Sequence, residues 1–328
     1  MQAIVIREPG DESVMQLGEV PEPTLGAEEI RIRVRATAVN RADLLQRRGL
    51  YPPPPGASQI LGLECAGEVL EIGRDVPPGR FREGDRVMAL LAGGGYAQQA
   101  VVHHGSVMPV EGALDLIHAG GFPEVYLTAY LNLVVLGGLA EGKSALVHGG
   151  GSGVGTAAIQ LAREMGARCY VTAGSPEKCQ RCVDLGATAA IDYKREDFAA
   201  RIKELTGGKG VDVILDPIGG SYLEKNLASL CVGGRLVLIG LTGGASANVN
   251  LAPLLTRRLH IIGSTLRTRS NEEKAQIVAG FRERFGEAIA AGRLKVVVDR
   301  ILPLAQAPEA HRVVAASEHF GKVLLRVD

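Results

Sequence analysis

The chain has no tryptophan, and phenylalanine and tyrosine together make up only 4% of its 328 residues. Glycine, by contrast, occurs 43 times, the composition of a protein with many tight turns and backbone-lined clefts. It also lacks net charge: Lys plus Arg and Asp plus Glu number 36 each, so there is no electrostatic case for binding nucleic acid or an anionic membrane. No apolar run approaches membrane-spanning length. The first ten residues, MQAIVIREPG, meet charge and a turn too early for a signal peptide, and the expected location is the cytoplasm. Five cysteines (Cys65, Cys169, Cys179, Cys182, Cys231) are odd in number and scattered, which fits reduced thiols rather than a disulfide framework. Cys179-x-x-Cys182 falls in a helical stretch with no second pair to complete a zinc site, so ordinary packing is expected.

What is present centres on residues 144–178, SALVHGGGSGVGTAAIQLAREMGARCYVTAGSPEK. An apolar run breaks into glycines and resumes with helical spacing, the pattern of strand, tight turn and helix. Gly149, Gly150, Gly151, Gly153 and Gly155 allow the backbone to lie close to a ligand, and the helix start offers free N–H groups and a positive dipole end. A pyrophosphate is the natural guest. The G-x-G-x-x-G fingerprint is met only as a variant, because Ser152 stands where the second glycine belongs. A second strand then runs into Thr172-Ala173-Gly174-Ser175, where an acidic residue would bond an adenosine ribose in an NAD site. No acid is there. Gly174, Ser175 and Lys178 instead offer a gap, a hydroxyl and a cation suited to a 2′-phosphate, and the expected cofactor is NADP(H).

Residues 1–122 read as β-rich, with strands expected at 2–6, 29–36, 67–72, 86–91 and 97–102, spaced as in a barrel-like domain. Between the second and third lies the segment 40–56, whose four prolines, Pro52 to Pro55, force an extended, rigid loop with Tyr51 at its mouth. From Glu124 the pattern becomes a helix over 125–136. Strands at 145–148, 168–172, 189–192, 211–216, 235–240 and 260–264 then alternate with helices, the signature of a six-stranded doubly wound parallel sheet. A polar helix over 271–291 and strands at 296–298 and 322–325 rejoin the first domain. The expected division is 1–122 with 267–328, and 123–266.

Two motifs point elsewhere and fail on context. Residues 137–144 satisfy G-x-x-x-x-G-K-[ST], but a helix precedes and a strand follows, the reverse of a nucleotide-binding P-loop. Ser152 lies between strand and helix like a nucleophile elbow, yet Val154 stands where G-x-S-x-G needs glycine, and His148 reads as a strand-end residue rather than a base. The adjacent His103 and His104 face opposite ways in a strand and cannot share a metal.

With Asn40-Arg41-Ala42-Asp43, the Tyr51-proline loop, Gly62-Leu63-Glu64, Leu127-Thr128-Ala129-Tyr130 and Gly153-Val154-Gly155 in this order, the chain resembles the zinc-independent quinone oxidoreductases of the medium-chain dehydrogenase/reductase superfamily. NRADLLQRRGLYPPPPGASQILGLE and HGGGSGVGTAAIQLA are most similar to the branch typified by the p53-inducible quinone oxidoreductase. The resemblance covers essentially the whole chain. It implies an α/β protein with a GroES-like β-barrel-type catalytic domain built from both chain ends around an inserted Rossmann domain, and a cofactor in the cleft between them.

Carried over by position, Gly153, Val154 and Gly155 meet the pyrophosphate, while Gly174, Lys178 and Tyr193 hold the adenosine 2′-phosphate. Gly240, Leu241, Ser264 and Leu266 lie along the nicotinamide half, Thr128 sits near the nicotinamide, and Asn40 and Tyr51 face it. Ser152 is either helix N-cap or nicotinamide neighbour. Zinc-dependent relatives place cysteine where Asn40 stands and histidine where Leu63 stands, so both ligands are gone and no metal is expected. Without a Lewis acid, an activated acceptor is needed. The resemblance thus implies hydride transfer from NADPH to an ortho-type quinone, with Tyr51 or water supplying the proton. The alternatives are an enone or enoyl-thioester reductase on the same scaffold, or a non-enzymatic RNA-binding or structural protein. A homodimer through the edge of the Rossmann sheet is also implied.

Overall fold

The computed structural model describes residues 1–328. The chain divides into two compact units, one formed by residues 1–127 and 266–328, the other by 128–265.

In the first unit the strand Glu29–Ala38 alternates as its sequence requires: Ile30, Ile32, Val34 and Ala36 are buried, whereas Arg33 is exposed. Each buried branched side chain contributes roughly 1.5–3 kcal/mol. One edge of this strand pairs with Glu64–Ile72; the other is shared by Gln99–His103 and then Lys322–Arg326. Arg86–Leu90 and Val107–Pro109 extend the sheet on one side, and Val298–Pro303 closes the other, parallel to Lys322–Arg326. Gln2–Ile6 and Met15–Glu19 form a separate antiparallel pair. The expected strand at 296–298 therefore begins where it was expected to end, because Val298 is the first residue to find a partner, in Lys322.

The segment 40–56 is not loop throughout. Arg41–Arg47 forms a helix, started by the Asn40 N–H donating to Asp43 Oδ2 at 2.8 Å, before the prolines take over. Loop structure is confined to the part that contains them. Pro123–Ala129 is α-helical, but the expected continuation over 130–136 widens into a π-helical turn, Tyr130–Leu136. Asn132 Nδ2 donates to the Thr128 carbonyl at 2.7 Å, the acceptor that a regular α-helix would reserve for the Asn132 backbone N–H.

The second unit carries six parallel strands in the order Ala189–Asp192, Arg168–Ala173, Ser144–His148, Val211–Asp216, Leu230–Leu238, His260–Gly263. The chain order reverses at Ser144–His148, so the sheet has its switch point beside this strand, where doubly wound proteins hold ligands. Ser144–His148 is buried along its whole length, as a central parallel strand must be. The fifth strand starts earlier than the apolar run suggests, at Leu230, because the chain bulges through Gly233, whose φ is +77°.

The reversed P-loop motif is a connector: Lys143 turns back to donate to the Gly138 carbonyl at 3.1 Å. Cys179 and Cys182 lie in the helix Pro176–Leu185. No helix is long and apolar enough to cross a membrane.

Candidate functional site

In the second unit the glycine-rich turn follows Ser144–His148 and opens the helix Gly153–Glu164. Gly149 has φ +72°, and a Cβ on Gly155 would come within 2.3 Å of the Gly149 carbonyl oxygen and 2.6 Å of that of Gly150. Only glycine permits this tight start. Ser152 is the N-cap, its Oγ accepting the Gly155 N–H at 3.0 Å, which leaves the Gly153 and Val154 amides of the first turn without an intrahelical acceptor.

The turn is tied down by a buried network that sequence reading did not find. Asn226 Nδ2 donates to Asp216 Oδ2 at 2.8 Å, so its Oδ1 faces His148 Nε2 at 2.7 Å and requires a proton there. His148 Nδ1 then accepts from Thr172 Oγ1 at 3.1 Å, and that oxygen accepts the Gly149 N–H at 3.3 Å. Burial pushes the imidazole down to about 4, against the Asn226 bond, so it stays neutral. Burial likewise raises Asp216 to about 6, opposed by N–H bonds from Ile218 and Gly219. With both nitrogens engaged away from Ser152, His148 cannot serve it as a base.

At the end of the neighbouring strand, Gly174 makes room for Tyr193: a Cβ there would lie 2.9 Å from the Tyr193 hydroxyl. Tyr193 is exposed, Lys178 is half-buried, and Ser175 caps its helix by accepting the Lys178 N–H at 3.3 Å. Gly240 follows the fifth strand, beside an exposed Leu241. Ser264 Oγ and Asn132 Oδ1 are enclosed polar atoms of this unit without a hydrogen-bond partner, the latter one helical turn from the buried Thr128. Leu266 is buried in the first unit.

The first unit gathers a second polar cluster. Lys322 Nζ donates to Glu64 Oε1 at 2.7 Å, Asn40 Oδ1 at 2.8 Å and the Val39 carbonyl at 3.2 Å, which uses all three of its protons. Asn40 Nδ2 completes the triangle, donating to the same Glu64 oxygen at 2.9 Å. Glu64 Oε2 accepts the Glu124 N–H at 3.0 Å. Asp43, raised to about 6 by burial, accepts from Asn40 and Gly62.

Arg267 donates to the Ala92 carbonyl at 2.8 Å, the Tyr51 carbonyl at 3.4 Å and Gln46 Oε1 at 2.6 Å, and its guanidinium lies 5.2 Å from the centre of the Tyr51 ring. Arg267 thereby fixes the mouth of the proline loop. Burial raises the Tyr51 phenol above its ordinary value, although Arg267 pulls it down. Of this cluster, sequence reading named only Asn40 and Tyr51 as site residues. The missed signal was a lysine inside the apolar run Lys322-Val323-Leu324-Leu325, a charge that a buried strand admits only with a partner.

Residues 26–112 match the family described as the alcohol dehydrogenase GroES-like domain, and residues 153–280 the family described as zinc-binding dehydrogenase. The quinone oxidoreductase of Rattus norvegicus is 31% identical over 328 residues, covering 99% of this chain and 97% of the relative. The Escherichia coli quinone oxidoreductase complexed with NADPH superposes with a TM-score of 0.86 at 29% identity, over 99% of this chain and 100% of that one. The chain is also 31% identical, over 98% of its length, to a component of the phenolphthiocerol/phthiocerol polyketide synthase of Mycobacterium tuberculosis, but spans only 14% of that relative. The two matched families and the full-length relatives agree with the six parallel strands and the GroES-like unit: the chain belongs to the medium-chain dehydrogenase/reductase superfamily.

Proposed function

We propose that the protein is an NADPH-dependent reductase that passes hydride to an ortho-type quinone without a metal. NADP(H) is the cofactor, and the residues fit it. The Gly149–Gly155 backbone, where a Cβ would fill the turn, suits a pyrophosphate held by the Gly153 and Val154 amides. Gly174, Ser175, Lys178 and Tyr193 suit the adenosine 2′-phosphate, and the partnerless Ser264 Oγ suits the carboxamide half alongside Thr128, Gly240 and Leu241. Bound there, the cofactor supplies hydride; the chain orients it and excludes water.

The observation that carries the substrate class is the Lys322–Glu64–Asn40 triangle. A saturated ammonium bridges the two side chains, so the Asn40 and Glu64 oxygens it holds are turned to Lys322 rather than to a metal ion, and Leu63 offers no ligand. Such a site cannot polarise a simple alcohol, and it requires an acceptor that takes hydride readily. Tyr51, fixed by Arg267, is the hydroxyl on the acceptor side.

The polyketide synthase relative favours a second reading, in which the acceptor is an activated C=C of an enone or enoyl thioester. The edge strand His260–Gly263 with exposed Leu251, Leu255 and Ile261 supports a homodimer through that edge. The deciding experiment is the initial rate of cofactor oxidation with one ortho-quinone, NADPH against NADH at matched concentrations. Turnover with an NADPH preference supports the proposal; NADPH binding without turnover transfers it to the C=C reductase.

A further inference from the structure

A second set of cations gathers in the first unit, on residues that neither cofactor nor acceptor involves. The strands Arg86–Leu90 and Val107–Pro109 run antiparallel, with Val87 opposite Pro109, and beside this pair lies a surface cavity of about 480 Å³. Its lining is of two kinds. Val87, Val107 and the half-buried Phe81 make part of it apolar, while Arg80, Arg86 and Arg282 bring guanidinium groups to it. The segment that carries Arg80 and Phe81 is pinned to the sheet: the Gly84 N–H donates to the Val69 carbonyl at 2.8 Å, and the Val69 N–H donates back to the Asp85 carbonyl at 2.9 Å. Phe81 packs on the core of the unit, and the Arg80 guanidinium lies 5.6 Å from the centre of its ring. Arg282, in the helix Asn271–Ala290, reaches Glu111 at 3.8 Å, which ties that helix to the segment after Val107–Pro109.

The charges at this cavity are unevenly matched. Arg33 and Arg35, on another strand of the same sheet, both reach Glu68. The guanidinium groups of Arg80 and Arg86, by contrast, make no hydrogen bond or ion pair within the protein. Asp85 is the acid in the lining, and its Oδ2 is taken by the Arg82 N–H at 2.8 Å. Burial holds the Arg80 guanidinium below its ordinary range, and the charge of Arg282 lowers it further. Cations gathered at a partly apolar cavity repel one another, and a bound anion removes that repulsion. The planar forks of arginine match the paired oxygens of a carboxylate or a phosphate. A phosphomonoester carries close to two charges and three acceptor oxygens, enough to engage Arg80 and Arg86 together, whereas one carboxylate brings a single charge.

We propose that this cavity binds a small aromatic phosphomonoester, its phosphate held by Arg80 and Arg86 with Arg282 beside them and its ring against Phe81, Val87 and Val107. The site shares no residue with the glycine turn at Gly149–Gly155 or with Gly174 and Lys178, and it goes beyond the reductase reading without depending on it. The ring supplies the burial that a bare phosphate lacks, and the guanidinium groups supply the preference for a dianion.

Phenyl phosphate is the probe, titrated by calorimetry into the full chain near pH 8 with NADPH saturating, so that the cofactor's own phosphate positions are filled. Inorganic phosphate and benzoate are the comparison ligands. The expected result is a phenyl phosphate Kd on the order of 0.1 mM, with each comparison ligand about tenfold weaker. Arg80→Gln should weaken phenyl phosphate by about tenfold and Arg80→Gln with Arg86→Gln by about 100-fold, while Arg80→Lys, which keeps the charge and loses the fork, falls between wild type and Arg80→Gln. Lys178→Ala should leave it within about twofold. No binding by wild type up to about 10 mM, or a double variant within about threefold of wild type, overturns the site. Inorganic phosphate binding as tightly as phenyl phosphate overturns the seat for the ring, and benzoate binding as tightly overturns the preference for phosphate. A loss in Lys178→Ala equal to that in Arg80→Gln places the probe at the cofactor's position instead and also overturns it. Should the double variant fail to fold, Arg80→Gln and Arg80→Lys decide by the same criteria. Should NADPH itself not bind, the reductase reading falls, and the arginine variants still decide this one.

Discussion

Lys322 Nζ lies 2.7 Å from Glu64 Oε1, and the two side chains are 3% and 0% exposed. A pair this deep makes a weak net contribution to stability, because both charges had to leave water, but removing one member strands the other. Lys322→Met should therefore destabilise the protein by about 3–5 kcal/mol, and Lys322→Met with Glu64→Gln by distinctly less. Urea unfolding of the two variants checks this. Equal losses would mean that packing, rather than the stranded carboxylate, is what Lys322 provides.

Lys178 separates the two nicotinamide cofactors if it meets the 2′-phosphate. Lys178→Ala should weaken NADPH binding by about 10–100-fold, the loss of one charge-assisted contact, and NADH binding by less than about threefold. Equal losses for the two cofactors, measured by fluorescence titration, would remove the lysine from phosphate recognition.

The Rossmann sheet was legible in the sequence because its central parallel strands are compact apolar runs: all six strands were found in order, the fifth starting five residues before the expected 235. The glycine turn was legible too, since Gly149 has the positive φ that favours glycine and Gly155 leaves no room for a Cβ. The polar cluster was not. Glu64, Glu124, Arg267 and Lys322 come from four distant parts of the chain, and nothing in local spacing announces that Lys322 will meet Glu64 across 258 positions. The His148–Asn226–Asp216 chain is hidden in the same way. The π-helical turn at Tyr130–Leu136 escaped notice because Asn132 has ordinary helical spacing, and its effect depends on where its amide bonds.

Removing the Tyr51 phenol decides whether it or water supplies the proton. With water as donor, Tyr51→Phe should lower kcat by no more than about threefold while raising the quinone KM, because the ring stays under Arg267 and only a hydrogen bond to the acceptor is lost. Steady-state kinetics with one ortho-quinone decides. A fall of about 100-fold in kcat with KM unchanged would return the proton to the phenol.

Ser152 caps its helix through the Gly155 N–H at 3.0 Å. Ser152→Ala removes the acceptor and should cost about 1 kcal/mol of stability, whereas Ser152→Gly should cost only a few tenths. Turnover should change less than stability in both. A large fall in turnover with unchanged thermal unfolding would make the hydroxyl a contact of the nicotinamide instead.

Burial, with Glu64 adding to it, raises the Glu124 carboxyl, and this leaves a mark on stability. Its folded-state value of about 8 stands above the ordinary value of 4.5, so between these limits the native protein holds a proton that the unfolded chain has released. Stability from this group is then fully present below pH 4.5 and is lost as pH rises toward 8. His148, depressed to about 4, and Asp43 and Asp216, raised to about 6, add their own slopes at lower pH, but these are common to wild type and variant and cancel in the difference. Glutamine carries no titrating proton. Relative to wild type, Glu124→Gln should therefore gain stability from pH 5 to pH 8, by on the order of 2 kcal/mol once residual solvent access is allowed for. Urea unfolding of both proteins at pH 5, 6.5 and 8 measures it. A difference that stays constant across the three would mean that Glu124 ionises as an ordinary surface glutamate does.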